Sequence, residues 1–280
     1  MLIRYGYELT INCSQRTPMM CLLDERPEYA SAIRYESGLL TQPAIPTTSY
    51  TDACGNSVRR LVAPLGHLTI SRSAIIEISG DPDPVVWDAW EIPVEKLPNE
   101  CLVFLLGSRY CETDRLGDLA WSLFGQTTPG WPRVQAICDF VNAHLTFGYE
   151  YARPTRTALE AYEERVGVCR DFAHLAVAFC RCMNIPARYV NGFLGDIGVP
   201  PDPSPMDYNA WFEVYLGGRW LIFDARHNRP RIGRITVSRG RDAMDVPLAT
   251  SFGLHELKRF KVWTDEVDPA FLQEAVRRSA

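Results

Sequence analysis

A cysteine at the opening of an amphipathic helix is one of the few places where an ordinary side chain becomes a nucleophile. In GVCRDFAHLAVAFCRCMNIP, Cys169 follows Gly167 and starts a periodic stretch. Phe172, Leu175, Ala176, Phe179 and Met183 recur on one face of it, and Pro186 lies just past the end. The spacing predicts a helix from Cys169 to about Met183. N–H groups of a helix's first turn point outward and carry roughly half a positive charge. They favour a thiolate, and they can receive negative charge developing on a carbonyl oxygen. Cys180 and Cys182 fall mid-helix, with no second metal-binding cluster nearby, and read as packing residues.

A nucleophile needs partners, and DYNAWFEVYLGGRWLIFDARHN offers two short polar side chains, Asn209 and Asp224. The stretch reads as two strands around Gly217-Gly218, a dipeptide that favours a two-residue hairpin turn. That turn sets Leu216 opposite Arg219, Glu213 opposite Ile222 and Trp211 opposite Asp224. Alternation puts Asn209, Trp211, Glu213 and Tyr215 on one face. Tyr208, Ala210, Phe212, Val214 and Leu216 form the other, greasier face. Asp224 then becomes the diagonal neighbour of Asn209, about 7–8 Å away between backbones, a gap two short side chains can close. By the same count His227 lies opposite Tyr208 and projects to the other side, within reach of the site only if the strand kinks.

The surrounding elements must hold these groups in place. MLIRYGYELTINC and HLTISRSAIIEI alternate as strands do, so the first hundred or so residues read as β-rich, with DPDP from Asp81 to Pro84 breaking any regular element. Helical spacing follows. WPRVQAICDFVNAHL carries Val134, Ile137, Val141 and Leu145 as one stripe after a Trp-Pro start, and a further helix is expected over Thr157 to Arg165. Strands return after Pro186, and FLQEAVRRS reads as a short terminal helix. The composition is that of a globular protein, with 46% hydrophobic and 22% charged residues. A formal net charge of −5 gives no reason to expect nucleic acid or an anionic membrane as partner. No apolar run approaches the roughly 20 residues that span a bilayer. Nine cysteines without an export signal point to reduced thiols in a cytosol, hence a cytoplasmic location.

Three motifs, Gly-Val-Cys169-Arg-Asp, N-A-W-F-E-V-Y and F-D-A-R-H-N, together resemble the transglutaminase-like superfamily, in particular bacterial members with a β-rich N-terminal domain. SRYCETDRLGDLAW, CRCMNIPARYVNGF and GRWLIFDARHNRPRIGR extend the resemblance over most of the chain. It implies an α+β fold: a papain-like transglutaminase core of helices and antiparallel sheet over residues 101–280, with core motifs in 160–230. A β-rich domain over residues 1–100 would precede it. It also implies a Cys–His–Asp triad, thiol attack on an amide carbonyl, a thioester, and acyl transfer to an amine or to water. The implied partners are a peptide or protein substrate and, for transfer, an amine. No cofactor is implied; animal transglutaminases require calcium, but nothing in this sequence marks a calcium site.

By this resemblance Cys169 matches the nucleophile and Asp224 the residue that orients the base. The base itself should be a histidine just before Ala-Trp, where this chain has Asn209. A carboxamide does not titrate in the working range; it can only hydrogen-bond. Losing the base of a serine-protease triad costs about six orders of magnitude in turnover. Cysteine is more forgiving, since a few per cent is thiolate at neutral pH, and a loss of at least about a thousandfold is expected. His174, five residues on from Cys169, falls about 140° around the helix and reads as structural. His67, His144 and His255 have no motif context. Two functions follow: a cysteine acyltransferase or amidase impaired at Asn209, or an inactive binding protein that keeps the cleft.

Overall fold

The computed structural model describes residues 1–202 and 208–279, so Asp207, which opens the hairpin stretch, lies outside the described residues. Seven strands come first: β1 (Leu2–Cys13), β2 (Thr17–Cys21), β3 (Ile33–Glu36), β4 (Leu40–Gln42), β5 (Thr47–Thr51), β6 (Ser57–Ala63) and β7 (Gly66–Glu77). A largely irregular strap over residues 78–98 leads into α1 (Asn99–Leu102), α2 (Thr113–Phe124) and α3 (Trp131–His144). Short strands β8 (Thr146–Phe147) and β9 (Val166–Gly167) flank α4 (Ala158–Glu164), and α5 (Cys169–Cys182) follows. The chain then forms β10 (Ala187–Phe193), β11 (Tyr208–Leu216), β12 (Arg219–Phe223) and β13 (Ile235–Gly240). It closes with β14 (Ala249–Ser251), β15 (His255–Val267) and α6 (Pro269–Ser279). The expected α+β architecture is present. Among the described residues no helix is long and apolar enough to cross a membrane.

The strands build three larger sheets. One runs β15-β1-β7-β3 with β4 also on β7, a second β14-β2-β6-β5, and a third β12-β11-β10-β13. Ile3, Tyr5, Tyr7, Leu9 and Ile11 of β1 are all buried, as period-two alternation on a half-buried strand requires. β15 pairs antiparallel with β1 from Leu2↔Val267 to Cys13↔His255, and β14 pairs with β2. Residues from the far end of the chain therefore complete both N-terminal sheets.

The third sheet positions the site. Phe212, Val214 and Leu216 of β11 meet Leu175, Ala176 and Phe179 of α5 in one buried cluster. Burying such a side chain stabilises by roughly 1.5–3 kcal/mol, and truncating Phe179 to alanine would cost about 3–5 kcal/mol. Local signals set the helix ends. α4 carries a capping box in which Thr157 and Glu160 satisfy each other's backbone N–H. α5 is closed off by Asn184, two residues past its last turn and left-handed at φ 62°, just before Pro186.

The hairpin turn forms as its sequence dictates, with Gly217 and Gly218 at φ 56° and 84°. Leu216 faces Arg219 and Glu213 faces Ile222, but the ladder stops at Phe212↔Phe223. The expected Trp211–Asp224 pair does not form. Asp224 leaves the strand because its own Oδ1 accepts the backbone N–H groups of Arg226 and His227, each at 3.0 Å. Its carbonyl accepts that of Asn228 at 2.8 Å. A side chain that hydrogen-bonds the backbone two and three residues on turns the chain rather than extending it.

Candidate active site

The motif around Cys169 folds back on itself. Asp171, the third residue of α5, is buried, and its Oδ2 accepts the Val168 N–H at 2.9 Å and Arg156 Nη1 at 3.1 Å. Its Oδ1 accepts Arg170 Nη2 at 3.0 Å. This closeness explains Gly167: a Cβ there would lie 2.7 Å from the Cβ of Asp171. The positive helix end is thus partly occupied by the helix's own carboxylate.

Cys169 stays partly exposed and packs beside Ala210 and Tyr189. Burial pushes its thiol pKa up; the Arg226 guanidinium and a hydrogen bond from the Ala210 backbone pull it down, while Asp224 and Asp171 push it up again. The net direction is upward. Where the helix start alone would acidify the thiol, burial comes first among the causes here and the charges of Asp224 and Asp171 add to it.

Asn209 sits on β11 beside Ala210. Its Oδ1 accepts from Arg226 Nη1 at 2.7 Å, and its Nδ2 donates to the Leu194 carbonyl at 3.2 Å. The expected neighbourhood of Asn209 and Asp224 is realised through Arg226, whose guanidinium reaches the amide while its backbone N–H reaches the acid. Arg226 also lies over the Phe147 ring at 3.7 Å, hydrogen-bonds Tyr149 and approaches Asp202 at 3.5 Å. Tyr149 in turn lies close enough to Cys169 for ionisation of either group to oppose that of the other. Sulfur, guanidinium, phenol and carboxamide therefore share one neighbourhood.

Asp224 is the most firmly held group here. Besides the two backbone donors, its Oδ2 accepts His227 Nδ1 and Arg234 Nη2, both at 2.8 Å. Burial alone would push this carboxyl up, but Arg234 first and His227 second hold it far below the usual carboxylate range. Arg234 is shared with Asp83 of the strap at 2.8 Å. The turn at Asp224 also brings His227 back to the acid instead of projecting it across the sheet, which corrects its expected direction. Helix α3 braces this turn: Asn142 Nδ2 donates to the carbonyls of Ala225 and Arg226, and Gln135 Nε2 to Asn228 Oδ1.

The other histidines lie in other settings. His174 is fully buried, stacked on Tyr110, with Nε2 accepting the Ala243 N–H at 3.1 Å. Burial, then Arg170 and Arg181, push its pKa well below the ordinary value, so the ring is neutral. His144 stacks on Tyr162 and Phe140. His67 and His255 lie on the exposed N-terminal sheets. Cys180 is buried in the core that Cys182 packs against. Sequence reasoning missed Tyr149, Asp171, Arg226 and Arg234. An acid two residues past the cysteine was a capping signal for Asp171; Tyr149, Arg226 and Arg234 carried none. A recess of about 820 Å³ on the N-terminal side is lined by residues of and next to β2, β5 and β6 with Phe252, and by none of these groups.

A helix that begins at a half-buried cysteine, packed on an antiparallel sheet with an arginine-bound aspartate at the end of one strand, defines the papain-like class of cysteine-dependent acyltransferases and peptidases. The family model of the transglutaminase-like superfamily matches residues 118–225. The Mycobacterium leprae protein ML0607 is 36% identical over 212 residues, 74% of this chain and 76% of that one. Rv2569c of Mycobacterium tuberculosis is 31% identical over 229 residues, 73% and 71% of the two chains. The structure of a candidate cysteine protease from Cytophaga hutchinsonii superposes with a TM-score of 0.84 at 29% identity, covering 96% of this chain and 91% of that one. The chain belongs to the transglutaminase-like superfamily.

Proposed function

We propose that this protein is a cysteine acyltransferase or amidase acting on glutamine or peptide amides, slowed because Asn209 occupies the place of the base. The carrying observation is the convergence of Cys169, the Ala210 backbone and Arg226 beside Asn209, with Asp224 held behind them. The thiol loses its proton to water, and the sulfur then attacks the amide carbonyl. The tetrahedral oxyanion collapses to a thioester as the amine leaves with a proton from water, and a second amine or water takes the acyl group. Arg226 supplies charge beside the sulfur but no proton acceptor, because a guanidinium stays protonated. The likeness to a candidate cysteine protease supports hydrolysis as one outcome. The nine free thiols support a reducing compartment such as the cytosol. We read residues 1–100 as a β-rich domain beside the 101–280 core, joined from that side by β14 and β15.

A second reading has its own support. Both ends of the Asn209 amide are engaged and the thiol is raised, which suits a protein that binds an amide in the cleft without turning it over. Asn209→His separates the two. If the cleft is catalytic, hydrolysis or amine incorporation on glutamine peptides should rise about 10²–10⁴-fold. No gain on any amide, with peptide binding unchanged, favours the binding protein. His227→Gln in the same assay tests whether the imidazole on Asp224 serves as a displaced base; abolished residual activity would assign it that role.

A further inference from the structure

The sheet β14-β2-β6-β5 turns one face away from the core. Met19 of β2 and Leu61 and Ala63 of β6 are buried on the inner side, so alternation sets Met20, Arg60 and Val62 on the outer one. Register places Arg60 between Met20 of β2 and Thr48 of β5. Phe252, just past β14, is tied to β2 by its N–H on the Pro18 carbonyl at 2.9 Å. The recess of about 820 Å³ lies along this face, a volume in the range of ligand-binding clefts.

The face is apolar although solvent reaches it. Tyr50 is 44% exposed, Val62 41% and Phe252 62%, and with Met20 they line the recess. Contiguous apolar surface of this kind marks interaction sites, and a methionine adapts to varied side chains. The charge is one-sided. Arg16 and Arg60 line the recess and no aspartate or glutamate does. Among the described residues neither arginine makes an ion pair, whereas Arg59, one position away, points inward to Asp24. Charges beyond about 8 Å are screened at physiological salt, so these two arginines set the local sign on a chain whose net charge is −5. β5 pairs with β6 alone, which leaves an open strand edge beside the recess for an extended chain to follow.

We propose that this face docks an extended peptide segment in which apolar side chains alternate with acidic ones, the apolar groups entering the recess and the acids meeting Arg16 and Arg60. The inference does not rest on amide turnover, since none of these residues belongs to the neighbourhood of Cys169.

Calorimetric titration of the intact protein tests it, with the blocked peptide acetyl-Gly-Phe-Asp-Leu-Glu-Phe-Gly-amide as probe, a match with lysine in place of both acids, and a match with serine in place of the apolar residues. The probe should bind saturably and more weakly as salt rises, and neither match should bind. The double variant Arg16→Ala/Arg60→Ala should weaken the probe about tenfold, as loss of charge-assisted contacts does. Val62→Glu, which sets a negative charge on the exposed face, should abolish binding with the thermal melt unchanged. Phosphatidylserine–phosphatidylcholine vesicles and sedimentation of the protein alone cover the other occupants. Vesicle binding without peptide binding, or self-association that the double variant loses, overturns the proposal, as does equal affinity for the acidic and lysine peptides or an unchanged affinity in the double variant.

Discussion

The start of α5 and the turn after β12 both use arginines to hold a buried aspartate, yet they treat the reactive side chain differently. At the turn, four donors converge on Asp224 itself, so the acid's charge and direction are fixed. At the helix start the arginines and the backbone serve Asp171, and Cys169 beside it gains one hydrogen bond from the Ala210 backbone and the nearby charge of Arg226. One region over-determines a group whose task in the family is to orient a base. The other leaves the thiol to burial. The charges that fix Asp224 and Asp171 also tie together the elements around them, the strap, α4 and the turn after β12.

Removing either aspartate should therefore have the largest effect. Asp224→Ala leaves buried Arg234 with Asp83 alone and Asp171→Ala leaves buried Arg156 with Glu164, and each should cost about 3 kcal/mol in urea unfolding, the lower end for breaking a buried pair. A loss under about 1 kcal/mol, the scale of exposed ion pairs, would mean that water already screens that region. Gly167→Ala comes next. It forces a methyl against Asp171 without any left-handed backbone to blame, at about 1–3 kcal/mol; a neutral result would show that the α5 cap is loose.

Chemical reactivity sharpens the contrast. Because the Cys169 pKa is raised, iodoacetamide labelling should climb about tenfold per pH unit from neutrality past pH 9. A fast rate that stays flat down to about pH 5 would reveal a charged partner for the sulfur and equalise the two regions. Stability follows the same sign. Cys21 and Cys111, pushed up to about 12, and Cys182, pushed up to about 11, favour the neutral thiol in the folded chain. Their contribution should be complete below about pH 8.5 and vanish as pH rises through 11–12 in thermal melts. The smallest effect belongs to Asn142→Ala, which frees the carbonyls of Ala225 and Arg226 and should cost about 1 kcal/mol. It should also alter Cys169 labelling, if α3 holds Arg226 near the sulfur.

Much of this was legible in the residues. The stripe from Phe172 to Met183, the capping pair Thr157 and Glu160, and the Gly217-Gly218 turn act over a few positions, so periodicity and turn chemistry set α4, α5 and the β11–β12 register. The same counting failed one step past Phe223, because the Asp224 side chain competed for the backbone and won. No local pattern announces β15 on β1, which joins residues more than two hundred positions apart.

The sequence by itself determined the helices, the hairpin and the family, since each follows from residue type and short-range spacing. Tertiary structure alone decided that Arg226 meets Asn209, that His227 returns to Asp224, and that the Cys169 thiol is raised instead of lowered. Those outcomes depend on through-space charge and on water removed by distant segments, and neither is encoded in the order of neighbouring residues.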